Sequence, residues 1–139
     1  MPNQVTLTLE TVEGEGLRFG VRARDQRGVV DSGPGRVAPS PVELLLVSLA
    51  GCTAMDVISL LRKKRQRVTA YDVFVTGDRR EEHPRRFTRI DVLHRLTGVE
   101  LSPEAVQHSL ELSHTKYCSV SASLDPAIDV IQRFEIVAT

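Results

Sequence analysis

The stretch SPVELLLVSLAGCTAMDVISLLRKKRQR, residues 40–67, narrows what this chain can fold into more than any other. Ser40, Pro41 and Glu43 spell a helix start, with serine as N-cap, proline at the first helical position and glutamate three residues after the cap. From Val42 to Leu61 apolar residues wrap most of the helix, which predicts a central, buried helix rather than a surface one. It is long enough to raise the question of a bilayer, but Glu43, Asp56 and several hydroxyls inside it argue for a core helix. Such a helix needs more cover than one chain of 139 residues with few other helices readily supplies, so an obligate homodimer is expected.

The flanking segments are β-like. Residues 4–9 alternate apolar and polar at strand period, and 15–32 reads as two strands joined by a tight turn around Asp25–Gly28. A Gly/Pro loop at 32–39 leads into the helix. Beyond Ala70 a long hairpin is expected with GDRREEHPRR as its tip. Ser102-Pro103-Glu104 then opens a second helix running toward Tyr117. A short turn around Cys118–Leu124 and a breaker at Asp125-Pro126 precede a closing strand, Ile128–Val137. The order is βββ-α-ββ-α-β, an α+β fold in a single domain over 1–139.

Composition excludes several classes. Lys plus Arg and Asp plus Glu are 18 each, so there is no basic excess for a nucleic-acid or anionic-membrane partner. Aromatics are 4% with no Trp, which removes a stacking platform for single strands. The run Arg62, Lys63, Lys64, Arg65, Arg67 ends a helix, where cations complement the negative end of the dipole. The first residues carry no basic region followed by an apolar one, so no secretory signal is expected. With two cysteines 66 positions apart and no CxxC, the expected setting is cytoplasmic with reduced thiols.

Chemistry is concentrated in the cysteines. Cys52 lies mid-helix among Ala50, Gly51 and Ala54, so it is either a packed core cysteine or a closely approached nucleophile. It is more than two turns from the N-cap, too far for the dipole to activate it; a thiolate there needs a nearby cation. Cys118 ends the second helix, four residues after His114. That is possible ligand spacing, but two groups do not make a zinc site, and a third would come from Cys52 or another histidine. His83, His94, His108 and His114 have no partner identifiable in the sequence. No phosphate loop, GxSxG or HExxH is present.

APSPVELLLVSLAGCTAMDVISLL around Cys52 and SHTKYCSVSASL around Cys118 resemble the OsmC/Ohr proteins, named for osmotic inducibility and organic hydroperoxide resistance. RREEHPRRFT and the closing FEIV resemble the YhfA-type OsmC-like subgroup. The resemblance spans nearly the whole chain. It implies an intertwined homodimer with two central helices gripped by antiparallel sheets, and a site at the dimer interface. It also implies that Cys52 attacks a hydroperoxide and becomes a sulfenic acid, and that Cys118 condenses with it to a disulfide reduced by a dithiol donor. No cofactor, metal, nucleic acid or membrane is implied.

One position departs from the peroxidase pattern. Those members carry a glutamate directly after the helix-opening proline, where this chain has Val42; Glu43 is about 100° further round and is explained by capping. The family's activating arginine comes from the upstream loop or hairpin. Arg18, Arg22, Arg24, Arg27 and Arg36 are all there, none in a distinct motif match. Two readings therefore stand: a cysteine-based hydroperoxide reductase, or a non-enzymatic redox-sensing or small-ligand-binding member of the same fold.

Overall fold

The computed structural model describes residues 2–10 and 14–138. Strands β1 (Thr6–Leu9), β2 (Arg18–Ala23) and β3 (Gln26–Asp31) precede helix α1 (Pro41–Lys63). Strands β4 (Arg67–Arg79) and β5 (Phe87–Val99) follow, then α2 (Pro103–Leu112), a π turn (Ser113–Tyr117), α3 (Ser119–Ser123) and β6 (Asp129–Val137). The predicted order is found, with the turn after Cys118 realised as the short helix α3. The chain divides into two compact units, Met1–Leu45 and Leu46–Thr139.

In the first unit β1, β2 and β3 form an antiparallel sheet in sequence order. The β2–β3 turn falls earlier than expected. Ala23 pairs with Gln26, leaving Arg24 and Asp25 as the loop, with Arg24 in the left-handed region at φ 57°. Strand pairing runs on through Arg27 and Gly28, so the turn glycine that the sequence suggested lies inside β3. Buried Asp31 ties down the loop beyond the sheet, accepting from the N–H groups of Gly33 (3.0 Å) and Val37 (3.2 Å) and from Arg18 Nε (3.4 Å). The Gly33 N–H holds its carboxyl below the ordinary range, against the desolvation that burial imposes.

In the second unit β4 and β5 form the expected hairpin, and β6 lies on the other side of β5. This sheet is not wholly antiparallel. Arg89 pairs with Asp129 and Thr97 with Val137 in parallel, because the chain crosses over through α2 before returning as β6. Helix α2 begins as read, with Ser102 Oγ accepting from the Ala105 N–H at 3.2 Å. The α1 end is closed by Arg65 at φ 59°, with the Gln66 N–H bonded to Leu61 O and the Arg65 N–H to Arg62 O, a Schellman pattern.

The core of this unit packs Val57 and Leu61 of α1 against Leu96 of β5, Leu101, and Val106 and Leu110 of α2. Helix α1 is buried along one stripe only: Leu49, Thr53, Val57 and Leu61 at four-residue spacing, with Ala50 beside them. Burial all round, as the apolar wrap predicted, is not what one chain provides: Val47 is 56% and Met55 72% exposed. By length and hydropathy α1 could also cross a membrane. Its buried stripe is what makes it a core helix here.

Candidate functional site

The parallel return of β6 and the π turn after α2 bring distant residues to the middle of α1. Cys118, 66 residues beyond Cys52 in the chain, is 3% exposed, while Cys52 is half-buried. The sulfurs of Cys52 and Cys118 and a carboxylate oxygen of Asp56 all lie within 4.8 Å of one another. Both thiols are free.

Each group has a local reason for its place. Cys52 and Asp56 are one turn apart on α1 and share a face. Asp56 Oδ2 accepts from Ser113 Oγ at 2.8 Å, where the buried first residue of the π turn faces α1. The wide π turn ends with the Cys118 N–H on Ser113 O at 2.7 Å. Cys118 then caps α3, its sulfur accepting from the Ser121 N–H at 3.3 Å.

Behind the thiols runs a polar chain, buried at Thr53 and His94 and half-buried at Gln132 and Tyr71. Thr53 Oγ1 lies 3.9 Å from Cys118 Sγ and receives Gln132 Nε2 at 3.4 Å. Gln132 Oε1 is 2.7 Å from His94 Nε2, and His94 Nδ1 is 2.7 Å from the Tyr71 hydroxyl. An amide oxygen only accepts, so His94 is the Nε2–H tautomer and the tyrosine donates to Nδ1. His94 is fully buried, and burial lowers its pKa despite the opposing Gln132 bond.

Burial likewise pushes the Cys118 thiol up, and neighbouring Cys52 acts in the same sense, while the Ser121 N–H pulls the other way. Among the described residues, no basic side chain hydrogen-bonds to either sulfur or pairs with Asp56. His114 is exposed and directed to Ser121 Oγ at 3.5 Å, so the His-x3-Cys spacing does not form a ligand pair. Cys52 joins Cys118, as the sequence allowed, and Asp56 stands where His114 was expected.

In the first unit, Glu43 does more than cap. It accepts from the Ser40 N–H at 2.9 Å and from both terminal guanidinium nitrogens of Arg36, one at 3.2 Å and the other closer. The Arg36 hydrogen bond, with the Ser40 N–H second, lowers the Glu43 carboxyl to about 2. Arg18 is engaged by Asp31.

Sequence reasoning missed Asp56 and the Thr53–Gln132–His94–Tyr71 chain. Asp56 had a signal in its four-residue spacing from Cys52. His94 had one in the two-residue alternation Ile90, Val92, His94, Leu96, which places it on the inward face of β5. Gln132 had none.

Residues 33–132, a span that includes Cys52, Asp56, Tyr71, His94, Cys118 and Gln132, match the model of the OsmC family, described as OsmC-like protein. The chain belongs to the OsmC-like family. It is 42% identical over 125 residues to Protein YhfA of Escherichia coli K12, covering 89% of this chain and 93% of that protein. A hypothetical protein from Aquifex aeolicus has a similar structure, with 29% identity, TM-score 0.87, and coverage of 100% of this chain and 98% of that one. The organic hydroperoxide resistance protein OhrB of Bacillus subtilis shares the fold, with 17% identity, TM-score 0.61, and coverage of 97% and 98%.

Proposed function

We propose that this OsmC-like chain is a thiol-dependent hydroperoxide reductase working through Cys52 and Cys118. The observation that carries the reading is the approach of two free sulfurs, far apart in the chain, to within 4.8 Å at one half-buried and one buried position. The more accessible Cys52 is the attacking thiol. Its thiolate takes the distal oxygen of the hydroperoxide, the O–O bond breaks, and the alkoxide leaves protonated as an alcohol. The Cys118 sulfur then displaces hydroxide from the Cys52 sulfenic acid, giving a disulfide and water. A dithiol donor returns both thiols and is itself oxidised to its disulfide.

The shared fold with organic hydroperoxide resistance proteins supports this reading. The second reading, a redox-sensing member without fast turnover, is favoured by one observation: no cation touches either sulfur among the described residues. Hydroperoxide consumption with a dithiol reductant, in wild type and Cys52→Ser, separates the two. Turnover lost in the variant supports the reductase; a disulfide that forms without turnover supports the sensor.

A cytoplasmic homodimer completes the proposal. Val47, Gly51 and Met55 follow at four-residue spacing on α1, with both large side chains exposed. A Cβ at Gly51 would meet nothing within 4 Å. A mid-helix glycine is about 1 kcal/mol less favourable than alanine, and nothing among the described residues needs the space. Close approach of a second copy accounts for both features.

A further inference from the structure

Three acid-forming groups converge in the second unit. Cys52 Sγ, Cys118 Sγ and an Asp56 oxygen lie within 4.8 Å of one another, and no basic side chain pairs with Asp56 among the described residues. One sulfur is buried, and the carboxylate is steered by a hydrogen bond from Ser113 Oγ at 2.8 Å. Two thiol sulfurs and a carboxylate oxygen at this separation form a donor set for a metal ion.

We propose that the reduced protein binds one thiophilic divalent cation, of the Zn2+ class, through Cys52, Cys118 and Asp56. Two thiolates and a carboxylate suit zinc, whose sulfur and oxygen bonds run about 2.3 and 2.0–2.2 Å. Side-chain rotations of about 1 Å bring atoms now within 4.8 Å of each other to that geometry. Three protein ligands leave a fourth position for water, and half-buried Cys52 and Asp56 leave it open to solvent. Ser113 orients the carboxylate from behind, the part that outer-shell partners play at metal sites.

Binding is not a redox step. Two thiols lose their protons to solvent as two sulfur–metal bonds form, and Asp56 adds a carboxylate oxygen. The disulfide form lacks both thiolates and cannot bind. The reduced thiols therefore have two fates, metal or peroxide, and the cation shields them from oxidation.

The test uses the full chain, reduced and metal-free, with Zn2+ alone in equilibrium dialysis and Co2+ alone in absorption spectroscopy. One Zn2+ per chain is expected, with proton release. Co2+ should give thiolate-to-metal charge-transfer and tetrahedral d–d bands, absent from the diamide-oxidised protein. Asp56→Asn should weaken Zn2+ at least tenfold and Ser113→Ala tenfold to a hundredfold. Zn2+ bound no better than by the Cys52→Ser/Cys118→Ser double variant overturns the proposal, as does a Co2+ spectrum without thiolate bands or an Asp56→Asn affinity equal to wild type. If Asp56→Asn does not fold, the wild-type Co2+ spectrum still decides. Peroxide consumption by the metal-free protein is measured separately, so failure of the reductase reading is distinguishable from failure of the metal site.

Discussion

Thr53 Oγ1 stands 3.9 Å from Cys118 Sγ while its own hydrogen is committed to the carbonyl of Leu49, one turn back at 3.0 Å. The hydroxyl can therefore only accept from the thiol, and it also accepts from Gln132 Nε2. Thr53→Val keeps the shape and removes the acceptor, leaving the part-buried Gln132 amide N–H and the Cys118 S–H without the oxygen they donate to. We expect a loss of about 1–3 kcal/mol in urea unfolding, largely restored in Thr53→Ser. A valine variant as stable as wild type would remove Thr53 as the anchor of the chain.

Mild peroxide should convert metal-free wild type to an intramolecular Cys52–Cys118 disulfide. In Cys118→Ser the sulfenic acid at Cys52 has no sulfur to intercept it, so sulfinic and sulfonic forms should accumulate at Cys52. Peptide mass spectrometry that places the first oxidation at Cys118 would reverse the two roles.

His94 links acidity to stability. Its folded pKa lies below the ordinary 6.5, so above that value both folded and unfolded chains hold it neutral. Below 6.5 the unfolded chain takes up a proton that the folded one refuses, and the free energy of unfolding falls with pH, at up to about 1.4 kcal/mol per unit. His94→Gln, which can still accept from Tyr71 and donate to Gln132, should flatten that limb. Equal slopes in chemical denaturation at several pH values would show that His94 titrates normally.

Glu43 acts at the acid end. Its folded carboxyl lies at about 2 against an ordinary 4.5, so the Arg36–Glu43–Ser40 contacts contribute fully above 4.5 and are lost as pH falls through about 2. Glu43→Gln should remove that window from the acid unfolding curve of the wild type. Both side chains are exposed, so the effect is small and screened by salt.

Met55→Arg places a charge in the exposed stripe of α1 and should shift sedimentation from dimer to monomer with the secondary structure intact. Gly51→Ala should act in the same direction, since its added methyl meets nothing among the described residues. A wild type that sediments as a folded monomer at micromolar concentration would end the dimer proposal.

Much of the architecture was legible in the order of residues. Ser40-Pro41 and Ser102-Pro103 mark both helix starts because capping is local, needing only a side-chain oxygen within three residues of free N–H groups. Period-two alternation located the strands for the same reason. The turn at Arg24–Asp25 escaped because strand pairing outvoted the glycine at 28. The parallel seat of β6 escaped because pairing direction follows the path of the connection, not the composition of the strand.

Two cysteines and the resemblance they carry were visible in the sequence; their surroundings were not. Periodicity says which face of its own element a residue occupies, never which residue of another element it meets. Asp56 read as a charge that argues against a membrane helix, and only the π turn that brings Ser113 and Cys118 to α1 makes it a neighbour of two sulfurs. Glu43 read as a cap, and only the path of the loop at 32–39 brings Arg36 to its carboxylate. Local hydrogen bonding and hydrophobic period are written along the chain. The company each polar group keeps is set by long-range packing, which the chain acquires only on folding.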